Sequence, residues 1–366
     1  MLLNRTQKGF SLIELMISLT LGLLISAAVM QVYLTSIKTS SVQSGGTDIL
    51  EASIFGIQNI EKSIRLSNLG MADSNNPFTP LAGVVMTSDT SLVSASQTDK
   101  SKNNMNGIKM GGTVTSAGTD AIDAKYLTKS GIAASNITGL TSSQLTIQYE
   151  APQDMYDCEG TLVRGPIEIE RDGRLELIPG QVIVQRYYLR EVAQNDKSNY
   201  ESNIKSYELR CDAGRYVKEI LNSTELDLQK INDSTILKES RNIRDFGDVG
   251  EVVIPRVDYF GVLLGVEVIE PLTSSVTLRY FTPEQYMSYL KDLSATSTIT
   301  TDIISVKLSA LVRADRPLTG ETGASNFIIF GEPKTLSADT SKAFIRRVYE
   351  SNIMLRNSRA IKESSI

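Results

Sequence analysis

The chain has 366 residues, of which 41% are apolar and 22% charged, enough for a packed core of one large or two average domains and too apolar for a disordered tail. A formal charge of −5 argues against a whole-surface grip on nucleic acid. Histidine is absent and only two cysteines are present, which removes Ser-His-Asp and Cys-His catalysis, His-ligated zinc and haem, four-thiolate zinc and single-chain iron–sulfur clusters; no cofactor or metal is expected.

The first element is a membrane segment. From Leu15 to Ile37 no residue is charged. As a helix rising about 1.5 Å per residue, this run spans roughly 34 Å, enough to cross a bilayer once. Arg5 and Lys8 precede it and Lys38 follows, so the positive-inside bias places the short N-terminus in the cytoplasm and the large remainder outside. Glu14 interrupts the apolar stretch near its start. A carboxylate in a membrane helix costs about 2.5–3.5 kcal/mol on insertion scales, and such residues tend to be paired and functional.

Lys8-Gly9-Phe10-Ser11-Leu12-Ile13-Glu14 resembles the type III signal of type IV prepilins and type II secretion pseudopilins. The resemblance implies that a dedicated prepilin peptidase cuts Gly9-Phe10 and that the new amine of Phe10 is methylated, with residues 1–9 as leader. It also implies that Glu14, one helical turn from that amine, pairs with it or with that of a neighbouring subunit during filament assembly. A pair in such a low-dielectric bundle chiefly specifies register. Two bland readings compete. One is an ordinary signal peptide cut near Ser26-Ala27-Ala28, so that the mature chain begins at Val29, although a typical h-region is shorter and carries no acid. The other is a plain anchor, which leaves Glu14 unexplained.

Residues 10–38 are thus the membrane and assembly helix, and residues 39–70 continue it as an amphipathic helix. Leu50, Ile54, Ile57, Ile60 and Ile64 follow steps of four, three, three and four and mark the face turned to the head. Gly45-Gly46 predicts a kink or melted turn, and Gly70 a C-cap. Residues 71–366 form the head. Within it, 87–140 reads as a polar, mobile insertion, either a ligand-facing loop or, more commonly for such composition, a solvated connector. Gly111-Gly112 to Gly118 lacks the Gly-Lys-Ser/Thr of a phosphate loop.

Strand patterns follow at Gln144–Tyr149, Val182–Leu189, Ser206–Cys211, Val276–Phe281, Ile303–Val312 and Phe327–Phe330. The expected class is therefore α+β, a long N-terminal helix on a mainly antiparallel β-sheet head with large loop insertions, which is also the pilin-like architecture. Residues 167–177 predict a hairpin. A two-residue Asp172-Gly173 loop sets Ile169 opposite Glu176. A three-residue loop with Gly173 left-handed pairs Ile169 with Leu175, Ile167 with Leu177 and Glu170 with Arg174, and is the expected form. Glu168 and Glu170 alternate with isoleucine and read as the wet face of a strand rather than a catalytic pair. Pro283 to Leu293 predicts a short helix with proline in its first turn.

Cys158 and Cys211 both lie outside the membrane in this topology, in an oxidising compartment, and are expected to form a disulfide worth about 4 kcal/mol in the chain-entropy model. From Lys342 to Lys362 six cations face Glu350 alone. This basic tail is a candidate for weak DNA contact or, preferred because stacking aromatics are few, for an acidic neighbour subunit.

Length, the Cys158/Cys211 pair, Gln144–Tyr149 and the motifs Arg346-Arg347-Val348 and Met354-Leu355-Arg356-Asn357 are together similar to PilW-type minor pilins. That resemblance implies a non-enzymatic subunit of the inner membrane and then of the pilus. Its implied partners are prepilin peptidase, other minor pilins, the major pilin and a PilY-type tip adhesin, and its implied roles are pilus assembly, twitching motility, adhesion and DNA uptake. A J-type pseudopilin of type II secretion, and a membrane-anchored adhesin or enzyme using the same signal, are the alternatives.

Overall fold

A computed structural model of the chain describes residues 9, 11–89, 102–110, 120–171, 173–218, 242–293, 298–318, 322–338 and 340–358. Helix α1 runs from Leu12 to Leu66. It starts where the sequence supplies a cap: the Ser11 hydroxyl accepts the Glu14 backbone N–H, and the Glu14 carboxylate accepts the Ser11 N–H, each at 3.3 Å.

The melted turn, one of the two expectations at Gly45-Gly46, is absent, because α1 is continuous through both residues. Gly45 is where the helix lands on the head. A Cβ there would lie 3.4 Å from the Ala314 Cβ and 3.5 Å from the Ile345 Cδ1. This tertiary contact outweighs the helix propensity that the glycine pair loses. The buried stripe agrees with the expected one at Ile57, Ile60 and Ile64 but not at Leu50 and Ile54. Gly45, Ile49, Gly56, Ile60 and Ile64 are buried and Ile57 partly so, whereas Leu50 and Ile54 stay exposed. Nor is Gly70 the C-cap. Ser67 is, donating its N–H to the Ile64 carbonyl, and Asn68 then takes the left-handed conformation (φ +68°). Its side chain accepts the Gly83 N–H and donates to the carbonyls of Ala72 and Asn357, tying the helix end to the head.

At Gly56 the approach is closer still: a Cβ would fall 2.2 Å from the Ile254 Cγ1 and 2.9 Å from the Val253 carbonyl oxygen. Gly56→Ala raises helix propensity by about 1 kcal/mol, yet overpacking costs about 1–3 kcal/mol or more. The variant is expected to unfold at lower urea than wild type in chemical denaturation; a gain in midpoint would show that the helix shifts freely on the sheet.

Two antiparallel sheets share the core with α1. The first contains β1 (Lys129–Ala133), β2 (Ser142–Glu150), β3 (Val182–Glu191), β4 (Tyr207–Tyr216) and β5 (Glu251–Ile254), in the order β5-β4-β3-β2-β1. The second contains β6 (Val257–Glu270), β7 (Ser275–Phe281), β8 (Thr300–Pro317) and β9 (Phe344–Met354), in the order β7-β6-β8-β9. Ile60 and Ile64 of α1 meet Ile147, Leu209, Val306 and Leu308 of the two sheets in one apolar cluster. Helix α2 (Pro283–Asp292) has proline at its start, as expected, and a Thr282/Gln285 capping box besides.

The described part of the polar insertion is packed rather than solvated. Met105, Ile108, Ile122 and Tyr126 build a second cluster with Val85, Val184 and Tyr216 from outside the insertion. Most of Thr87–Asn104 and the glycines at 111–118 lie outside the described residues.

The hairpin at 167–178 takes the two-residue loop. Glu168 pairs with Leu177, Ile169 with Glu176, Glu170 with Leu175 and Arg171 with Arg174, which overturns the three-residue register. An Asp-Gly loop matches the natural twist of a hairpin. Matching apolar partners decides register only where one face is buried, and here Leu175 and Leu177 are both exposed. Glu168 and Glu170 are exposed too.

Candidate assembly site

The N-terminal helix is apolar where it leaves the head. Within Leu12–Thr47 the most apolar 18-residue stretch has a mean hydropathy of 2.2 and is wholly unburied. It is the one helix among the described residues long and apolar enough to cross a membrane. Glu14 sits at the third position of α1, held by the Ser11 cap, with Ser18 donating to its backbone carbonyl at 2.7 Å. Gly9 is exposed, and a Cβ there would meet nothing within 4 Å; Phe10 lies outside the described residues. Ser11 was missed by the sequence reading, although Ser-x-x-Glu before an apolar run is the spacing of a capping box.

Cys158 and Cys211 are bridged across a separation of 53 residues. The bridge brings together their chain neighbours Glu159 and Asp212, which with Asp248 place carboxylate oxygens within 4.8 Å of one another. Such a trio suggests a divalent cation, but its most buried member is already engaged, while one Glu159 carboxylate oxygen is buried without a hydrogen-bond partner. Asp212 is fully buried, and Arg186 meets it at 2.6 Å while Gly247 donates its N–H. The Arg186 guanidinium lies 4.1 Å from the Tyr188 ring centroid and 4.7 Å from that of Tyr126. A guanidinium thus already neutralises the most buried of the three acids.

Burial, reinforced by Asp248, Asp212 and Asp157 against a backbone hydrogen bond from Ala213, pushes the Glu159 carboxyl up to about 7. An unfolded glutamate titrates at about 4.3. Between those values the folded chain holds the extra proton, so this group makes stability fall as pH rises, and the loss is complete above the folded value. Glu159→Gln is expected to flatten the melting-temperature profile between about pH 5 and pH 7. At about pH 8 it should stabilise the head by roughly 1 kcal/mol, a figure discounted for the partial exposure of the site. An unchanged profile in thermal melts would rule this out.

The basic tail is not one surface. It forms strand β9, and Arg346 points inward, its Nε 2.6 Å from the Asp258 carboxylate. Arg313 of β8 lies 3.6 Å from the same acid and pairs with Glu201. Asn136 donates to Asp258 at 2.7 Å, and Ser206 donates to Glu201 at 2.9 Å. Two guanidinium groups and two carboxylates thus make a neutral buried set that ties β6, β8 and β9 to the loop between β3 and β4. Lys342, Arg347 and Arg356 remain on the surface; Arg359 and Lys362 lie outside the described residues. Sequence reading missed Asp258 and Arg313, although a lone charge in an apolar strand, as in Leu311-Val312-Arg313-Ala314, is the signal that points to them.

Comparison with known proteins gives two family matches, a prokaryotic N-terminal methylation motif over residues 4–30 and the type IV pilus-assembly protein W family over residues 228–357. No curated protein matches the chain. Among solved structures, the type IV-like pilin TTHA1219 from Thermus thermophilus is similar at 13% identity, over 63% of this chain and 82% of that one, with a TM-score of 0.23. The methylation motif covers Gly9 and the start of α1 with Glu14, and the second match falls on the sheet that carries most of the buried ion set, so the two matches together support a type IV pilus minor pilin of the PilW family.

Proposed function

We propose that this minor pilin enters the inner membrane with its N-terminus in the cytoplasm and its head in the periplasm. Prepilin peptidase then cuts it between Gly9 and Phe10 and methylates Phe10. The mature chain joins other minor pilins and the major pilin in a tip or priming complex, with a PilY-type adhesin as a further partner. Its role is structural rather than enzymatic, and twitching motility, adhesion and DNA uptake follow from the assembled filament.

The observation that carries this reading is Glu14 in the first turn of a helix whose apolar run the head leaves uncovered. An acid in that position is costly in lipid and acquires a cation once cleavage frees an amine four residues upstream. Gly9 supports the processing step, since among the described residues nothing lies close enough to call for glycine. The family match over 228–357 lies in the head, away from the N-terminus that pseudopilins share, and favours a pilus over a secretion system.

Mass spectrometry of the mature N-terminus tests the reading. The expected species begins at N-methylated Phe10; a chain beginning at Val29, with Glu14 removed, overturns it.

A further inference from the structure

Beyond its membrane stretch, α1 keeps apolar surface that neither lipid nor head covers. About 20 residues suffice to span the hydrocarbon of a bilayer, and the uncharged run ends at Ile37. Phe55 lies eighteen residues further on, about 27 Å along the axis at 1.5 Å per residue. Even so it is 70% exposed, and Leu50 and Ile54 on the same helix are exposed as well. Phe55 and Tyr156, which is 68% exposed, stand at the rim of a groove of about 630 Å³ between α1 and the ribbon leading into Cys158. Met155 and Val252 line its walls.

The lining also includes Asp157, only 7% exposed. Its Oδ1 accepts the N–H groups of Glu159 at 3.0 Å and Thr161 at 2.9 Å, whereas its Oδ2 is buried without a hydrogen-bond partner. Leaving such an acceptor unmet costs about 1–3 kcal/mol or more. The cations nearby make no hydrogen bond to it, although the charge of Arg215 acts on the carboxylate. Lys62 lies on the helix side of the groove with its side chain exposed, and Arg215 of β4 is paired with Asp245 at 2.8 Å. Burial, with the charge of Asp245, shifts the Asp157 carboxyl upward against the two backbone hydrogen bonds and the charge of Arg215.

We propose that this groove receives a lysine or arginine side chain borne on an apolar segment of a neighbouring pilus subunit. The aliphatic stem lies between Phe55, Tyr156, Met155 and Val252, and the cation reaches the Asp157 Oδ2 beside the two rings. A neighbouring subunit is the occupant because the groove continues the exposed apolar stripe of α1, at a height that the bilayer does not reach. The inference rests on the assembly reading above.

The test places photoreactive p-benzoylphenylalanine at Tyr156 in the full-length chain in its own cells, with the same residue at exposed Leu272 as control. Irradiation is expected to yield a Tyr156-specific adduct with another pilus subunit, its cross-linked peptide carrying Lys or Arg among apolar residues. Asp157→Asn, which keeps an Oδ1 acceptor for both backbone donors, should cut the yield by about tenfold or more. Phe55→Ser, a change at an exposed position, should lower it without altering the fold. If the chain is recovered in sheared pili but no adduct forms, or the adduct ignores both substitutions, or it joins a non-pilus protein, the groove proposal fails and the assembly reading stands. If the unmodified chain is absent from pili, the assembly reading itself fails and takes the groove with it.

Discussion

Glu14→Ala is expected to leave the chain processed and membrane-bound while lowering its recovery in sheared pili by about tenfold or more, the scale set by losing one partner of a desolvated charge pair. The structure sharpens this experiment, because the Glu14 carboxylate also accepts the Ser11 N–H as part of a capping box. Alanine removes both roles. Glutamine keeps the second, since a Gln at this position caps as Glu does, and removes only the charge. If pairing with a freed amine drives assembly, Glu14→Gln fails nearly as badly as Glu14→Ala. If capping is the whole role of the residue, Glu14→Gln behaves as wild type and Ser11→Ala shows the defect instead. Immunoblots of pilus and membrane fractions, with mass spectrometry of the N-terminus to confirm equal processing, separate the two.

The parts of this molecule that could be read from its sequence are those governed by short-range chemistry. The uncharged run, the Gly-Phe-x-x-x-Glu spacing and the Pro283 helix start depend on residues within a turn or two of one another. Alternating strands such as Val276–Phe281 were visible for the same reason. Strand β6 was not, because Val257–Glu270 is covered on both faces along most of its length and so loses the alternation that marks a half-buried strand. Gly45 reads as a helix breaker and Gly56 carries no signal until the sheet beneath them is known; only then are they sites of close approach. The hairpin failed in the opposite way. Pairing apolar residues is a sound guide to register when a core lies beneath the strands, and Leu175 and Leu177 have none. Within the candidate site, Glu14 was legible but Asp157 was not. Its significance lies in one unmet carboxylate oxygen, which depends on how the disulfide ribbon folds against α1.

The buried ion set shows why the six tail cations could not be treated as one patch, and it carries the largest expected effect on stability. Asp258 stands 1% exposed between two guanidinium groups, with Arg346 at 2.6 Å and Arg313 at 3.6 Å, while Glu201 meets Arg313 from the other side. Burial alone would raise the Glu201 carboxyl, but the hydrogen bond and charge of Arg313, with help from Ser206 and Ser198, hold it below the usual carboxylate range. Its contribution is therefore present above the unfolded value and lost as pH falls through the folded one, so the set weakens on the acid side. Asp258→Asn leaves two buried guanidinium groups against a single acid and is expected to cost about 3–5 kcal/mol in urea denaturation. Removing the pair together is a different matter. Asp258→Leu with Arg346→Met restores neutrality, leaves Arg313 with Glu201, and fills the space with apolar atoms, a replacement that is often neutral or stabilising. The double variant is thus expected to regain most of the loss, with a coupling of about 2 kcal/mol or more in the mutant cycle. Additive losses would mean that Arg346 and Asp258 do not depend on each other, and that the inward turn of the basic strand has another cause.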